Sequence, residues 1–140
     1  MKKAINYLEH INVNVSNLDN ALLFFKTAFP EFQVRGGGAA QNDKWVHFGN
    51  DYTYIAINEK KLEHPLRDKF KSPGVNHAGF VVSDIDALAS RMEENGFKRD
   101  YPKQVQKYRI RDYFADADGN QYEFVQYLSD NVNERNDYSE

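Results

Sequence analysis

Apolar and polar residues alternate over His10-Ile11-Asn12-Val13-Asn14-Val15, with Ile11, Val13 and Val15 on one side and His10, Asn12 and Asn14 on the other. A period of two predicts a strand over 10–15 with one packed face. The pattern recurs over 77–82, where Ala78, Phe80 and Val82 pack and His77, Gly79 and Val81 turn away. Each run leads into a serine, Ser16 or Ser83, and three residues later an aspartate, Asp19 or Asp86. A serine is suited to cap a helix, and an acid is suited to the positive end of its first turn. Helices are therefore predicted over 18–28 and 85–94. Leu22, Leu23, Phe25 and Phe29 form the buried face of the first, and Ile85, Leu88, Ala89 and Met92 that of the second. Pro30 ends one helix and Asn95-Gly96 the other.

Three more strands follow each helix. They fall near 32–35, 44–49 and 52–57, then near 97–101, 108–115 and 120–128. Gly36-Gly37-Gly38, Gly49-Asn50-Asp51 and Asp116-Ala117-Asp118-Gly119-Asn120 read as turns. In the last strand Tyr122 and Phe124 pack, which leaves Gln121, Glu123 and Val125 opposite. Residues 10–19 fall on 77–86 at an offset of 67 (77 − 10 = 67), with a histidine, a valine, a serine and an aspartate identical. An offset near half the chain means a duplicated module. The predicted fold class is α+β: two tandem βαβββ modules forming paired curved mixed sheets around a cleft. The predicted single domain covers 1–128, with module one at 5–58, a linker or lid at 59–74 and module two at 75–128. Residues 129–140 read as a polar, frayed tail.

Composition narrows the function classes. A hydrophobic share of 41% and an aromatic share of 14% are too high for a disordered chain. The net charge of −3, with both signs interspersed, argues against a nucleic-acid or anionic-membrane partner. No cysteine is present, so disulfides, thiolate catalysis and cysteine-based zinc sites are excluded, and any metal must take nitrogen and oxygen ligands. Lys2 and Lys3 precede no long apolar run, and no uncharged apolar stretch reaches about 18 residues, so a cytoplasmic protein is expected.

The candidate chemistry follows from parity. His10, His77 and Glu123 all project from the face their helix does not cover. If the sheets curl around that face, two imidazoles and a carboxylate meet in a set that suits Fe, Mn, Ni, Co or Zn and leaves positions open for substrate. Position 56, the repeat counterpart of Glu123 (123 − 67 = 56), holds Ala56, so three protein ligands are expected rather than a closed cage. Asn12 shares the His10 side of the first strand, Trp45 and His47 alternate on one strand, and Tyr54 shares parity with Ala56. Arg109, Arg111 and Tyr113 share one face of theirs, where the arginines would bind a carboxylate or phosphate if it lines the cleft, or would guard a solvent-facing edge. His47 is either a proton shuttle or a packed strand residue.

Leu8-Glu9-His10-Ile11-Asn12-Val13, Asn76-His77-Ala78-Gly79-Phe80-Val81 and Tyr113-Phe114-Ala115-Asp116-Ala117-Asp118-Gly119-Asn120-Gln121-Tyr122-Glu123 together resemble the vicinal oxygen chelate superfamily. That superfamily holds glyoxalase I, extradiol dioxygenases, methylmalonyl-CoA epimerase, fosfomycin-resistance thiol transferases and bleomycin-binding proteins. The resemblance spans residues 5–128 and puts His10, His77 and Glu123 on its metal positions. Ala117 stands where the family has a turn proline, and Ala56 where glyoxalase I has a second glutamate, which counts against glyoxalase I activity proper. The implied function is a metal-dependent, glyoxalase-like lyase or isomerase acting on a small oxygen-bearing molecule, in a homodimer. The alternatives are a ring-cleaving dioxygenase, for which Tyr113 and His64 are the relevant residues, and a non-catalytic antibiotic-binding protein.

Overall fold

The computed structural model describes residues 6–40, 43–61 and 67–139, and the chain divides into two units, Met1–Glu63 and His64–Glu140. The first unit runs β1 (His10–Val15), α1 (Leu18–Ala28), β2 (Gln33–Ala40), β3 (Asp43–Gly49) and β4 (Tyr54–Glu59). Its sheet has the order β1-β4-β3-β2, with β1 parallel to β4 and the other pairs antiparallel. The second unit runs β5 (His77–Val81), α2 (Ile85–Glu94), β6 (Lys98–Val105), β7 (Arg109–Ala115) and β8 (Gln121–Tyr127), with the order β5-β8-β7-β6. These are the two predicted βαβββ modules, and the duplication extends to register. Asn12 pairs with Ala56, and Gly79 with Glu123, so both partners move by the same 67 positions (79 − 12 = 123 − 56 = 67).

Each helix is fixed at its start by two equivalent devices. Asn17 and Asp84, rather than the expected Ser16 and Ser83, cap the helices: their side-chain oxygens accept from Asn20 N at 2.9 Å and Ala87 N at 3.0 Å. The next amide donates to the last strand of the same unit, Leu18 N to Glu59 and Ile85 N to Gln126, both at 2.9 Å. Orphan amides at a helix start are thus satisfied from within each unit. At the end of α2, Gly96 N donates to Glu93 O and Phe97 N to Met92 O, both at 3.0 Å, the paired closing bonds of a Schellman motif.

The second core is as predicted: Ile85, Leu88, Ala89 and Met92 are buried with Phe114, Tyr122 and Phe124. In the first unit the buried face of α1 is Ala21, Phe24, Phe25 and Ala28, packed with Val46, Phe48, Ile55 and Ile57. Leu23 is 50% exposed, whereas Phe24, absent from the expected face, is fully buried. Burying each such large side chain contributes about 1.5–3 kcal/mol.

Three expectations need correction. The glycines at 36–38 do not turn the chain but lie inside β2, an edge strand, and a Cβ on Gly38 would lie 2.9 Å from the Trp45 indole nitrogen. Small residues there let the indole lie against the neighbouring strand. Strand β6 runs on through Pro102 to Val105, with register shifts between Arg99 and Gln104. As an edge strand it tolerates a residue with no amide hydrogen.

The tail is not frayed either. It forms a helical turn, α3 (Val132–Arg135), and buried Arg109 holds it by donating to the carbonyls of Arg135 at 3.1 Å and Asp137 at 2.9 Å while lying 4.3 Å from the Tyr138 ring centre. Arg109 also donates to Gln106 at 3.0 Å. It serves the tail, not a substrate anion, which corrects its expected role. Arg109→Met is expected to cost about 1–3 kcal/mol in denaturant unfolding and to speed proteolytic removal of the tail, because two tail carbonyls lose their charged donor.

Of the predicted linker or lid, Glu59 ends β4 and Lys60 N donates to Val15 O at 2.8 Å in the first unit, whereas the stretch from Arg67 on is held in the second. Lys69 Nζ donates to Gly119 O at 2.7 Å and meets Asp100 at 2.8 Å, and Arg67 donates to the carbonyls of Ser72, Pro73 and Val75. His64 lies outside the described residues. No helix among the described residues is long and apolar enough to cross a membrane.

Candidate functional site

On the second sheet, β5 and β8 run parallel with Gly79 opposite Glu123, and β7 places Tyr113 on the other flank of the same glutamate. Alternation turns His77 and Glu123 to one face. Their side chains meet there, His77 Nε2 lying 2.8 Å from Glu123 Oε2. The Tyr113 ring stands edge-on to His77 at 6.0 Å and to Tyr101 at 5.3 Å, and the Glu123 carboxylate acts on its hydroxyl through charge. Tyr113 is 7% exposed; burial and then the Glu123 carboxylate hold its hydroxyl above the ordinary 10.0, with Arg111 pulling the other way. It therefore keeps its proton at neutral pH.

Arg111 lies two residues before Tyr113 on β7, donates to Gln106 at 3.0 Å, and leaves its Nε buried with no hydrogen-bond partner among the described residues. An unmet buried donor costs about 1–3 kcal/mol, so this atom calls for an acceptor.

On the first sheet the equivalent face is aromatic. His10 stacks on Tyr54 at 4.6 Å, His47 stacks on Tyr54 at 4.6 Å, and Trp45 meets His47 edge-on at 4.9 Å. The Arg35 guanidinium lies 4.4 Å from the Tyr54 ring centre. Asn12 accepts a hydrogen bond from Asn58 across the β1–β4 pair. Burial, followed by the charge of Glu9, raises the Tyr54 hydroxyl pKa. Register makes His47 and Tyr113 counterparts, since each sits opposite the corresponding position, Ala56 or Glu123. Trp45 and Arg111 correspond in the same way, opposite Asn58 and Val125. Buried Ala56 brings no ligand to the first sheet.

The structure thus joins His77, Glu123 and Tyr113 in the second unit and His10, Tyr54, His47 and Trp45 in the first. Among the described residues no three or more His, Asp or Glu side chains are grouped so that they could hold a metal ion. The donor chemistry of His77 and Glu123 fits a divalent cation: one imidazole nitrogen and one carboxylate oxygen already share a point of approach. Gly79 lies directly beside that point, where a Cβ would be in ordinary contact with Glu123 Oε2 at 3.9 Å. Sequence reasoning missed Glu9 and Asn76, which sit beside the two histidines. Their signal is the repeat itself, for each directly precedes its histidine (76 − 9 = 67).

Comparison with known proteins settles the lineage. Residues 7–124 match the profile of the Glyoxalase/Bleomycin resistance protein/Dioxygenase superfamily. The chain belongs to that superfamily. Among curated relatives, a probable trivalent organoarsenical cleaving enzyme of Bacillus subtilis (strain 168) is 28% identical over 138 residues, covering 93% of this chain and 86% of that protein. The metallothiol transferase FosB of Shouchella clausii (strain KSM-K16) is 29% identical over 119 residues, covering 82% and 76%. Among solved superfamily structures, a glyoxylase/bleomycin resistance protein/dioxygenase domain from Frankia sp. EAN1pec aligns with a TM-score of 0.75 at 20% identity over 91% and 96% of the two chains. A variant of the fosfomycin resistance protein FosX from Listeria monocytogenes, in complex with Mn(II) and 1S,2S-dihydroxypropylphosphonic acid, aligns with a TM-score of 0.69 at 19% identity over 94% and 98%. These likenesses in structure show a shared fold.

Proposed function

We propose that this superfamily member is a divalent-metal-dependent enzyme acting on a small, oxygen-bearing, anionic substrate, with His77, Glu123 and His10 as the metal ligands. The observation that carries the reading is the 2.8 Å approach of His77 Nε2 to Glu123 Oε2, at positions in matching register with the first unit. When bound, the cation supplies a Lewis acid that draws charge onto a substrate oxygen.

The chain's own residues do the rest. Arg111 offers its partnerless Nε–H to an anionic group and so orients the substrate. Tyr113 keeps its proton and donates it as a hydrogen bond beside Glu123. Trp45, Tyr54 and His47 form an aromatic wall against apolar parts of a ligand.

Between the two named kinds of relative, composition favours the metallothiol-transferase type. Trivalent arsenic is a soft, thiol-seeking centre, and this chain has no cysteine to hold it. Protein purified without a histidine tag is expected to hold about one Mn, Fe, Ni, Co or Zn per chain, while less than about half an equivalent with no gain on titration contradicts the reading. The loaded protein is then offered a phosphonate epoxide with a thiol, a trivalent organoarsenical, a catechol and a dicarbonyl. Turnover of the epoxide, weakened in Arg111→Leu, is the expected result. Ligand binding that needs no metal and survives His10→Ala would instead favour the sequestering, bleomycin-type alternative.

A further inference from the structure

We propose that Asn76, and Glu9 at the equivalent place in the first unit, are positioning residues that fix the ring tautomers of His77 and His10 and so present each Nε2 to the cation; the inference rests on the metal reading above. Asn76 Oδ1 faces His77 Nδ1 at 2.7 Å, while Asn76 Nδ2 donates to the Lys69 carbonyl at 3.1 Å. A carbonyl oxygen only accepts, so the NH2 end of the amide is committed to Lys69 and its oxygen to the ring. That oxygen also only accepts, so Nδ1 carries the hydrogen. With Nδ1 committed, Nε2 is the nitrogen left to bind the cation, and the proton it now shares with Glu123 across 2.8 Å would be released as the cation takes its place.

The support behind Asn76 is itself anchored. Lys69 is tied through its ammonium to Gly119 O and Asp100, and Asp100 also accepts from Gln121 at 3.0 Å at the foot of β8. A chain of contacts therefore runs from β8 through Asp100 and Lys69 to Asn76 and back to the ligand histidine. In the first unit Glu9 Oε1 faces His10 Nδ1 at 2.9 Å. The Tyr54 ring stacks on His10 at 4.6 Å, so the plane of the imidazole is held as well.

The two positions lie 67 residues apart, as the histidines do (76 − 9 = 77 − 10 = 67), yet their chemistry differs. Glu9 brings a charge that makes its imidazole a stronger donor to metal, whereas Asn76 orients without adding charge. A residue that merely filled space would need neither an acceptor aimed at Nδ1 nor a fixed orientation.

The test is a Mn(II) titration of the metal-free, full-length protein, followed by the spectroscopic signal of the free ion. Asn76→Leu is expected to weaken binding about 10–100-fold, in the range typical of partners that orient a ligand histidine, and Glu9→Leu to weaken it as well. Asn76→Asp, which keeps an oxygen facing Nδ1, is expected to retain or exceed wild-type affinity. Asn76→Leu binding as tightly as wild type, or the Leu and Asp variants losing affinity equally, would overturn the proposal. Wild-type protein that takes up no Mn(II) would overturn the metal reading instead, a different result.

Discussion

Replacing Glu123 with alanine is expected to lower divalent-metal affinity more than about 100-fold, beyond the 10–100-fold typical of losing a residue that only orients a ligand. Among the described residues, Glu123 is the acidic side chain in hydrogen-bond contact with His77, and its charge raises the Tyr113 pKa. Its removal takes away the proposed ligand. Turnover should fall to the metal-free background, and added metal should not restore it. The fold should survive, because the second core is built from Ile85, Leu88, Met92, Phe114, Tyr122 and Phe124, not from this face. His77→Ala should behave alike. A Glu123→Ala protein with wild-type metal content would remove this residue from the site.

The second large effect concerns stability. Gly49 ends β3, and a Cβ added there would lie 2.1 Å from the Thr53 carbonyl oxygen and 2.6 Å from the Tyr54 Cα. Both obstacles are backbone, so no rotamer change relieves them. Asn50 N donates to Thr53 O at 2.9 Å and the Asn50 side chain accepts from the amides of Tyr52 and Thr53, so the turn has little freedom to open. Gly49→Ala is expected to destabilise the chain by about 3–5 kcal/mol, the scale of truncating a large core side chain, read as a drop in the denaturant midpoint. The displacement would carry Tyr54, and with it the stack on His10. A Gly49→Ala protein as stable as wild type would contradict this packing.

Much of this was legible in the sequence where one pattern had no rival. Strict alternation over His10–Val15 and His77–Val81 fixed strand, face and repeat together, and the burial pattern follows it. Helix α2 carries isolated apolar positions at helical spacing, so its buried face could be read off directly. Helix α1 offers five apolar residues in a row, Ala21 to Phe25, and periodicity cannot choose among them. Tertiary packing chose Phe24 over Leu23.

Other features were hidden for physical reasons. The glycines at 36–38 carry a turn composition, yet they pair with His47, Val46 and Trp45 of β3, and at Gly38 the Trp45 indole occupies the space a side chain would need. The helices start at 18 and 85 as expected, but Asn17 and Asp84, not the serines one residue earlier, supply the caps. Arg109 and Arg111 share strand parity and looked interchangeable. Only contacts far along the chain, to Arg135 and Asp137, separate a residue that clamps the tail from one with a free donor. Glu9 and Asn76 escaped because a hydrogen bond to the neighbouring ring leaves no periodic trace.

The most direct test of the account is a crystal structure of the protein soaked with Mn(II), read by anomalous scattering at the manganese edge. The account predicts one strong peak bonded to the Nε2 atoms of His10 and His77 and to the Glu123 carboxylate. A peak that lacks any of these three ligands, or no peak at saturating Mn(II), would contradict it.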